Sequence, residues 1–479
     1  MLFGFVALYL LCSVGIGLYA ATRVQNTKDF AVAGRSLPLP VVTATVFATW
    51  FGAEAVLGIS ATFVKEGLRG VVADPFGSSL CLILAGLFFA PRFYRMNLLT
   101  VGDFYRLRYN RTVEVLCTLA VVLSYLGWVA AQFKVLGLVL NVVTAGGISQ
   151  SLGMIAGALI VLTYTTFGGM FSVAVLDFVQ ITVIMGGLLY IGAIVSGLAG
   201  GVGTVIAQAA AAGKLDFFPP ASLNAWIPFL GAWVTMMFGS IPQQDVFQRI
   251  TSAKNEATAV RGSLLGGTLY FAFCFIPMFL AYAATLVDPG RFLTLLEADS
   301  QLVLPTLILE HTPLAAQIVF FGAVLSAVMS CSSATLLAPS VALSENVLKP
   351  MVSRLNDSEL LRLMRVVLVV FASVVLAIAL WSDASIYKLV VSTYKVTLVV
   401  AFIPLLAGLY WPKATAQGAI VAIAAGLVSW VGLELISPTD AVWPPQLVGL
   451  LAAASGMVAG SLAPQMLPVT TEKPAAGPL

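Results

Sequence analysis

The sequence predicts an all-α polytopic membrane protein with about 13 transmembrane helices. Three observations carry that fold class. Of the 479 residues 60% are hydrophobic and only 9% charged, whereas a water-soluble chain is about 25% charged. The mean hydropathy is +1.00. Apolar runs of about 20 residues, each long enough for a bilayer core of about 30 Å, recur along the whole length, and the short alternating segments of a β-barrel do not.

In order, the spans fall at about 2–21, 40–65, 74–94, 113–142, 149–167, 172–198, 224–248, 259–286, 313–344, 361–381, 385–410, 414–434 and 445–465. The first is read as a retained helix and not a cleavable leader, because Arg23, Lys28 and Arg35 follow it and no positive charge precedes it. With the N-terminus outside, 17 of the 24 Lys and Arg residues fall in the inner loops and tail and 4 in the outer segments. That is the positive-inside bias, and it places the C-terminus in the cytoplasm. The acidic outer loop 287–312 is expected to form a short surface helix. Residues 1–465 read as one transmembrane domain and 466–479, rich in Pro and Ala, as a disordered cytoplasmic tail.

Several functions are excluded. The net charge of +3 is scattered over short loops and does not point to nucleic acid. No GxxxxGK[ST] loop is present, so ATP is not the expected energy source. The five cysteines lie in apolar segments without metal or disulfide spacing, and His311 reads as a loop residue. No nucleophile–base pair appears in the spans, against an enzyme.

Charges inside spans cost about 2.5–3.5 kcal/mol each on insertion scales and mark function by default. Glu54, Lys134, Asp177, Asp245 and Lys395 are such charges, with Asp74 at a helix end. Lys388 and Lys395 are read as reaching toward an interface. Asp245, one turn before Arg249, is read as a structural ion pair. Lys134 is left between snorkelling, pairing with a carboxylate and touching solute.

Two spans look broken. The second carries Gly52 and Gly58 beside Glu54, and the seventh, "MMFGSIPQQDVFQR" (236–249), carries Gly239 and Pro242. Glycine tolerates a non-helical turn and proline removes a backbone donor. Interrupted helices in corresponding positions of two halves point to a transporter's binding site, and these are five spans apart, as a five-helix repeat requires. In the ninth span Ser326, Ser330 and Ser333 recur at helical spacing. With carbonyls freed by a broken helix they make an oxygen cage for a small hard cation.

The segments "YTTFGGMFSVAVLDFVQ" (164–180), "IPQQDVFQRITSAKN" (241–255), "AVMSCSSATLLAPSVALSENV" (327–347) and "GLYWPKATAQGAI" (408–420) resemble, in order, signature stretches of the sodium/solute symporters. That family includes proline, sialic acid, sugar and high-affinity choline transporters. The resemblance covers about 1–465. It implies a leucine-transporter-type 5+5 inverted repeat over about 40–410, with one extra N-terminal and two extra C-terminal helices, and sodium-coupled uptake by alternating access. It implies a sodium site from the carbonyls of Ala48, Phe51 and Ala327 and the side chain of Ser330. Cys331 stands where a second hydroxyl is expected, and a thiol is a softer partner for sodium. Asp177 and Ser333 match a second cation or gating position, where Ala334 replaces a hydroxyl.

The local wording is nearest the choline transporters, and Trp50 and Trp128 match two positions of an aromatic cage. Ser78 and Gln243 stand where further aromatics are expected. The solute-binding candidates are therefore Trp50, Glu54, Asp74, Trp128, Gln243 and Gln244, for an amino acid, a betaine- or choline-like solute or a carboxylate. Sodium is the only ion implied. The other partners are the solute and the lipid bilayer of the plasma (inner) membrane, and the chain is expected to work as a monomer. The alternatives are a sodium-independent facilitator and a transporter-like sensor domain.

Overall fold

The computed structural model describes residues 1–352, 355–382, 386–436 and 442–467. The expected disordered tail falls almost wholly on 468–479, outside the described residues, as does the side chain of Lys388. Among the described residues the elements are helical, with one isolated bridge, Leu37–Ala253. Ten helices among the described residues are long and apolar enough to cross a membrane, or 12 if each of two bent pairs is one span.

One of the ten, Gln150–Leu198, has 49 residues and is interrupted at Gly169 (φ 48°, ψ −137°). Unbroken it would run about 74 Å, more than twice the bilayer core, so its two halves are the expected fifth and sixth spans. A Cβ at Gly169 would lie 2.4 Å from the carbonyl oxygen of Phe30, so only glycine lets the chains meet there. With that division the helices match all thirteen expected spans. The loop 287–312 holds two short helices, Pro289–Ala298 and Val303–His311.

The helix starts are written locally. Asn110, Ser149 and Asn255 accept a backbone N–H of the first turn, and Thr100 with Asp103 and Asn356 with Glu359 form capping boxes. Large apolar side chains such as Leu123, Leu159, Leu189 and Val370 stay exposed on the outside of the bundle, where lipid replaces water. Inside, the second, third, fourth, sixth, seventh, eighth, ninth and eleventh spans enclose buried polar groups. Lys395 pairs with Glu434 of the twelfth span at 2.9 Å.

The breaks occur where glycine and proline predict them. Leu39–Trp50 and Glu54–Glu66 meet at 56°, and Leu223–Gly239 and Gln244–Ser252 at 46°. A Cβ on Gly52 would lie 2.8 Å from the Cys331 side chain and from Gln132 Oε1, and one on Gly239 would lie 2.5 Å from the carbonyl of Tyr394. Both glycines are thus required by close approach of a neighbouring span.

Candidate functional site

At the second-span break the helical ladder loses two rungs. The N–H of Gly52 bonds the Trp50 carbonyl at 3.1 Å, and the N–H of Ala53 bonds Gln132 Oε1 at 2.9 Å. In a continuous helix these donors would have served Ala48 and Thr49. The Ala48 carbonyl instead accepts from Ser330 Oγ at 3.0 Å. Ser330 also lies 2.5 Å from Asp177 Oδ1, and Thr45 Oγ1 donates to Asp177 Oδ2. One backbone carbonyl, two hydroxyls and a carboxylate, from the second, sixth and ninth spans, thus meet in one buried corner.

This geometry brings together Ala48, Ser330 and Asp177, which the sequence assigned to two separate cation positions. Phe51, Ala327 and Cys331 are buried beside them, with Cys331 against Gly52. Ser333 turns back to the Ser330 carbonyl at 2.9 Å and so does not offer its hydroxyl proton to the corner. Ser326 lies farther along the helix and pairs with Tyr9 of the first span.

Beside this corner lies a closed aromatic chamber, whose rings pack directly on one another. The Trp50 ring stacks on Tyr394 at 6.1 Å and meets Trp128 and Tyr270 edge-on at 5.7 and 6.5 Å. Trp128 stacks on Tyr125 at 5.9 Å. Each ring pair lies within the range where aromatic contacts are favourable. Three carboxylates are wired to the edges of these rings. Trp128 Nε1 and Gln132 Nε2 donate to Glu54 at 2.9 and 2.7 Å. Tyr270 OH donates to Asp74 Oδ1 at 2.7 Å, with Ser78 as a second donor. Trp50 Nε1 donates to Asp245 Oδ2 at 3.0 Å, and the Tyr125 hydroxyl donates to its other oxygen.

Two expectations change. Asp245 is not the local partner of Arg249, although the residues are one turn apart. Donors from the second and fourth spans take both its oxygens, and Arg249 Nε goes to Thr49 Oγ1 at 2.9 Å. Gln244 is partly engaged elsewhere: its Oε1 accepts the N–H of Val101, the first residue of the helix Val101–Arg108, while its Nε2 has no partner among the described residues. Gln243 sits at the seventh-span break, bonded to Ser124 at 2.9 Å. Trp50, Glu54, Asp74 and Trp128 remain together.

The sequence reading passed over Thr45, Tyr125, Gln132, Tyr270, Tyr394 and Thr397. A signal was present for some of them. Ser124, Tyr125, Trp128 and Gln132 recur along one face of the fourth span, as do Thr45 and Thr49 in the second. Lys134 leaves the fourth span about 200° round from Gln132 and so does not share its direction toward Glu54.

Residues 30–426 match the model of the sodium:solute symporter family. The human high affinity choline transporter 1 is 28% identical over 450 residues, covering 89% of this chain and 75% of that protein. The sodium/pantothenate symporter of Escherichia coli strain K12 is 27% identical over 491 residues, covering 97% of this chain and 98% of the other. The human sodium/iodide cotransporter is 27% identical over 498 residues, covering 97% and 75%. A sodium-coupled sialic acid symporter in a substrate-bound outward-open state superposes with a TM-score of 0.83 at 18% identity, covering 96% of this chain and 97% of the other. A nucleobase-cation-symport-1 family transporter superposes at 0.61 and 15%, covering 90% and 94%. The match over most of the chain, on a bundle with broken helices five spans apart, shows that this chain belongs to the sodium:solute symporter family, as an all-helical sodium-coupled solute transporter of the leucine-transporter type and not an enzyme.

Proposed function

We propose that the chain imports a small polar organic solute across the plasma (inner) membrane, with sodium bound at the corner of Ala48, Ser330 and Asp177 and solute in the aromatic chamber beside it. The observation that carries the reading is the meeting of a freed carbonyl, two hydroxyls and a buried carboxylate at a helix break. These are hard oxygens of the kind that replace a sodium ion's hydration shell, and the carboxylate supplies the counter-charge. Phe51 and Ala327 add carbonyls from the two sides of the same corner. Thr45 is a further oxygen that the sequence did not suggest.

The two sites share one broken segment. Trp50 and Glu54 flank Gly52 and lie two and six residues beyond Ala48 along the break. An ion that holds the break in one shape therefore fixes the rings that meet the solute, which is the coupling alternating access needs. The basic end of the bundle, where Arg106 and Arg111 flank the buried Glu114, faces the cytoplasm in this reading, the N-terminus lies outside, and one chain suffices.

The test is uptake into proteoliposomes with sodium or potassium outside. Sodium-driven uptake that is lost in potassium is the expected outcome. Equal uptake in both salts would make the chain a facilitator. Trp50→Ala should raise KM for the solute, and unchanged kinetics would reduce Trp50 to packing.

A further inference from the structure

We infer that the solute of the aromatic chamber is a small organic monocation that carries at least one N–H donor, a protonated amine, and that Asp74 is the residue that reads the donor. The inference rests on the reading of this chamber as the solute site and adds the solute's chemical class.

The charge balance comes first. Glu54, Asp74 and Asp245 all border the chamber and are buried. The buried counter-charge of the seventh span is Arg249, whose Nε is committed to Thr49. The groups that the ring edges meet are thus three carboxylates and, among the described residues, no cation. Adding the carboxylate of an anionic solute would increase a burial cost that already favours a cation. The rings select in the same direction. Trp50, Trp128 and Tyr270 each donate an N–H or O–H to a carboxylate. A ring that gives up positive charge at its edge presents a more negative face, and a cation over that face gains about 0.5–2 kcal/mol.

The choice between an amine and a quaternary ammonium comes from one atom. Asp74 is 1% exposed, and its Oδ1 accepts from Tyr270 and Ser78. Its Oδ2 has no hydrogen-bond partner among the described residues, and neither has the hydroxyl of Tyr394, whose ring stacks on Trp50. An unsatisfied buried carboxylate oxygen is costly. A quaternary ammonium has no N–H to relieve it, whereas a protonated amine does. Ser78, one of the two positions where an aromatic would complete a cage for a quaternary ammonium, instead donates to Asp74. The group that replaces the missing ring thus orients the acceptor.

The test uses purified full-length protein and a series of constant charge: ethanolamine, its N-methyl and N,N-dimethyl derivatives, and choline. Glycine and propionate serve as zwitterion and anion. Thermal stability and competition for uptake are read in sodium and in potassium. Ethanolamine is expected to bind about tenfold more tightly than choline, with the affinity falling as N–H donors are lost. Asp74→Asn should flatten the series. Tyr270→Phe, which keeps the ring and removes one donor that orients Asp74, should narrow the gap between ethanolamine and choline and reads the same residue if Asp74→Asn folds poorly; an unchanged gap would count against Asp74. Choline binding as well as ethanolamine overturns the N–H requirement. Glycine or propionate binding best, or none of the cations binding in either salt, overturns the cation class. A ranking that holds in potassium as in sodium would keep this inference and reject sodium coupling, so the two readings fail separately.

Discussion

The two broken helices open in the same way and are finished with different chemistry. At the second-span break the freed Ala48 carbonyl meets Ser330 of the ninth span and, through it, Asp177 of the sixth. At the seventh-span break the Gly239 carbonyl accepts from Thr397 of the eleventh span at 2.6 Å, and Gln243 is held by Ser124 of the fourth. A repeat of five spans pairs the second with the seventh, the sixth with the eleventh and the fourth with the ninth. The two corners are therefore built from equivalent elements. One holds a carboxylate, and the other joins neutral groups, the Gly239 carbonyl with Thr397 and Gln243 with Ser124. A buried carboxylate is expensive to keep without a counter-charge, whereas a satisfied neutral cluster needs no further partner. The difference teaches that the repeat supplies two openings with different chemistry, and in the proposed reading the charged one takes the cation.

The sharpest way to break the comparison is to remove the charge. Asp177→Asn keeps the shape of the corner and leaves it as neutral as its counterpart. Loss of a charged ligand worth about 3 kcal/mol should raise the sodium concentration for half-maximal uptake about a hundredfold. Wild-type sodium dependence would place the ion elsewhere. Ser330→Ala removes one neutral oxygen and should raise the same sodium requirement about tenfold at most, at about 1 kcal/mol. A sodium titration of uptake measures both, and a larger effect for Ser330→Ala than for Asp177→Asn would reverse their roles.

Much of this architecture was legible in the sequence, and the limits have a physical cause. Hydropathy and the Gly and Pro breakers act over a few residues, so the spans and both interruptions could be read locally. The serine face of the ninth span was legible for the same reason. The partners were not. Trp50 and Asp245 are 195 residues apart, Ser330 and Asp177 are 153 apart, and Gln132 meets the backbone of Ala53 across 79. Only packing brings them together. Where a local rule was used for a tertiary question it failed: Asp245 and Arg249 have the spacing of an ion pair, yet donors from other spans reached Asp245. The other rings of the aromatic cluster were out of reach for the same reason, because Tyr270 and Tyr394 come from the eighth and eleventh spans and meet Trp50 only on packing.

The neutral corner tests the comparison from the other side. Thr397→Val keeps the shape and removes the hydroxyl that caps Gly239. Stability should fall by about 1 kcal/mol, and sodium dependence should be unchanged. A shift in the sodium requirement comparable to that of Ser330→Ala would mean that both corners take part in ion binding and that the division of labour is wrong.

The smallest effect lies at Cys331, against Gly52 at the edge of the ion corner. A thiol is a soft and weak ligand for sodium, and a hydroxyl at the same position is a harder one of similar size. Cys331→Ser should therefore lower the sodium requirement about threefold, a gain of about 0.6 kcal/mol, without changing the ranking of solutes. The measurement is the sodium titration of thermal stability in the absence of solute, so that an effect on the chamber does not enter. A gain would mean that the natural chain keeps a weak ligand where a better one fits, and that its ion site is tuned toward release. No change would mean that the side chain at 331 only packs against the break, and that Ala48, Thr45, Ser330 and Asp177 carry the ion without it. A loss would mean that the thiol's bulk, and not its chemistry, holds Gly52 in place, and the second-span break would then depend on packing from the ninth span as closely as the seventh-span break depends on Tyr394.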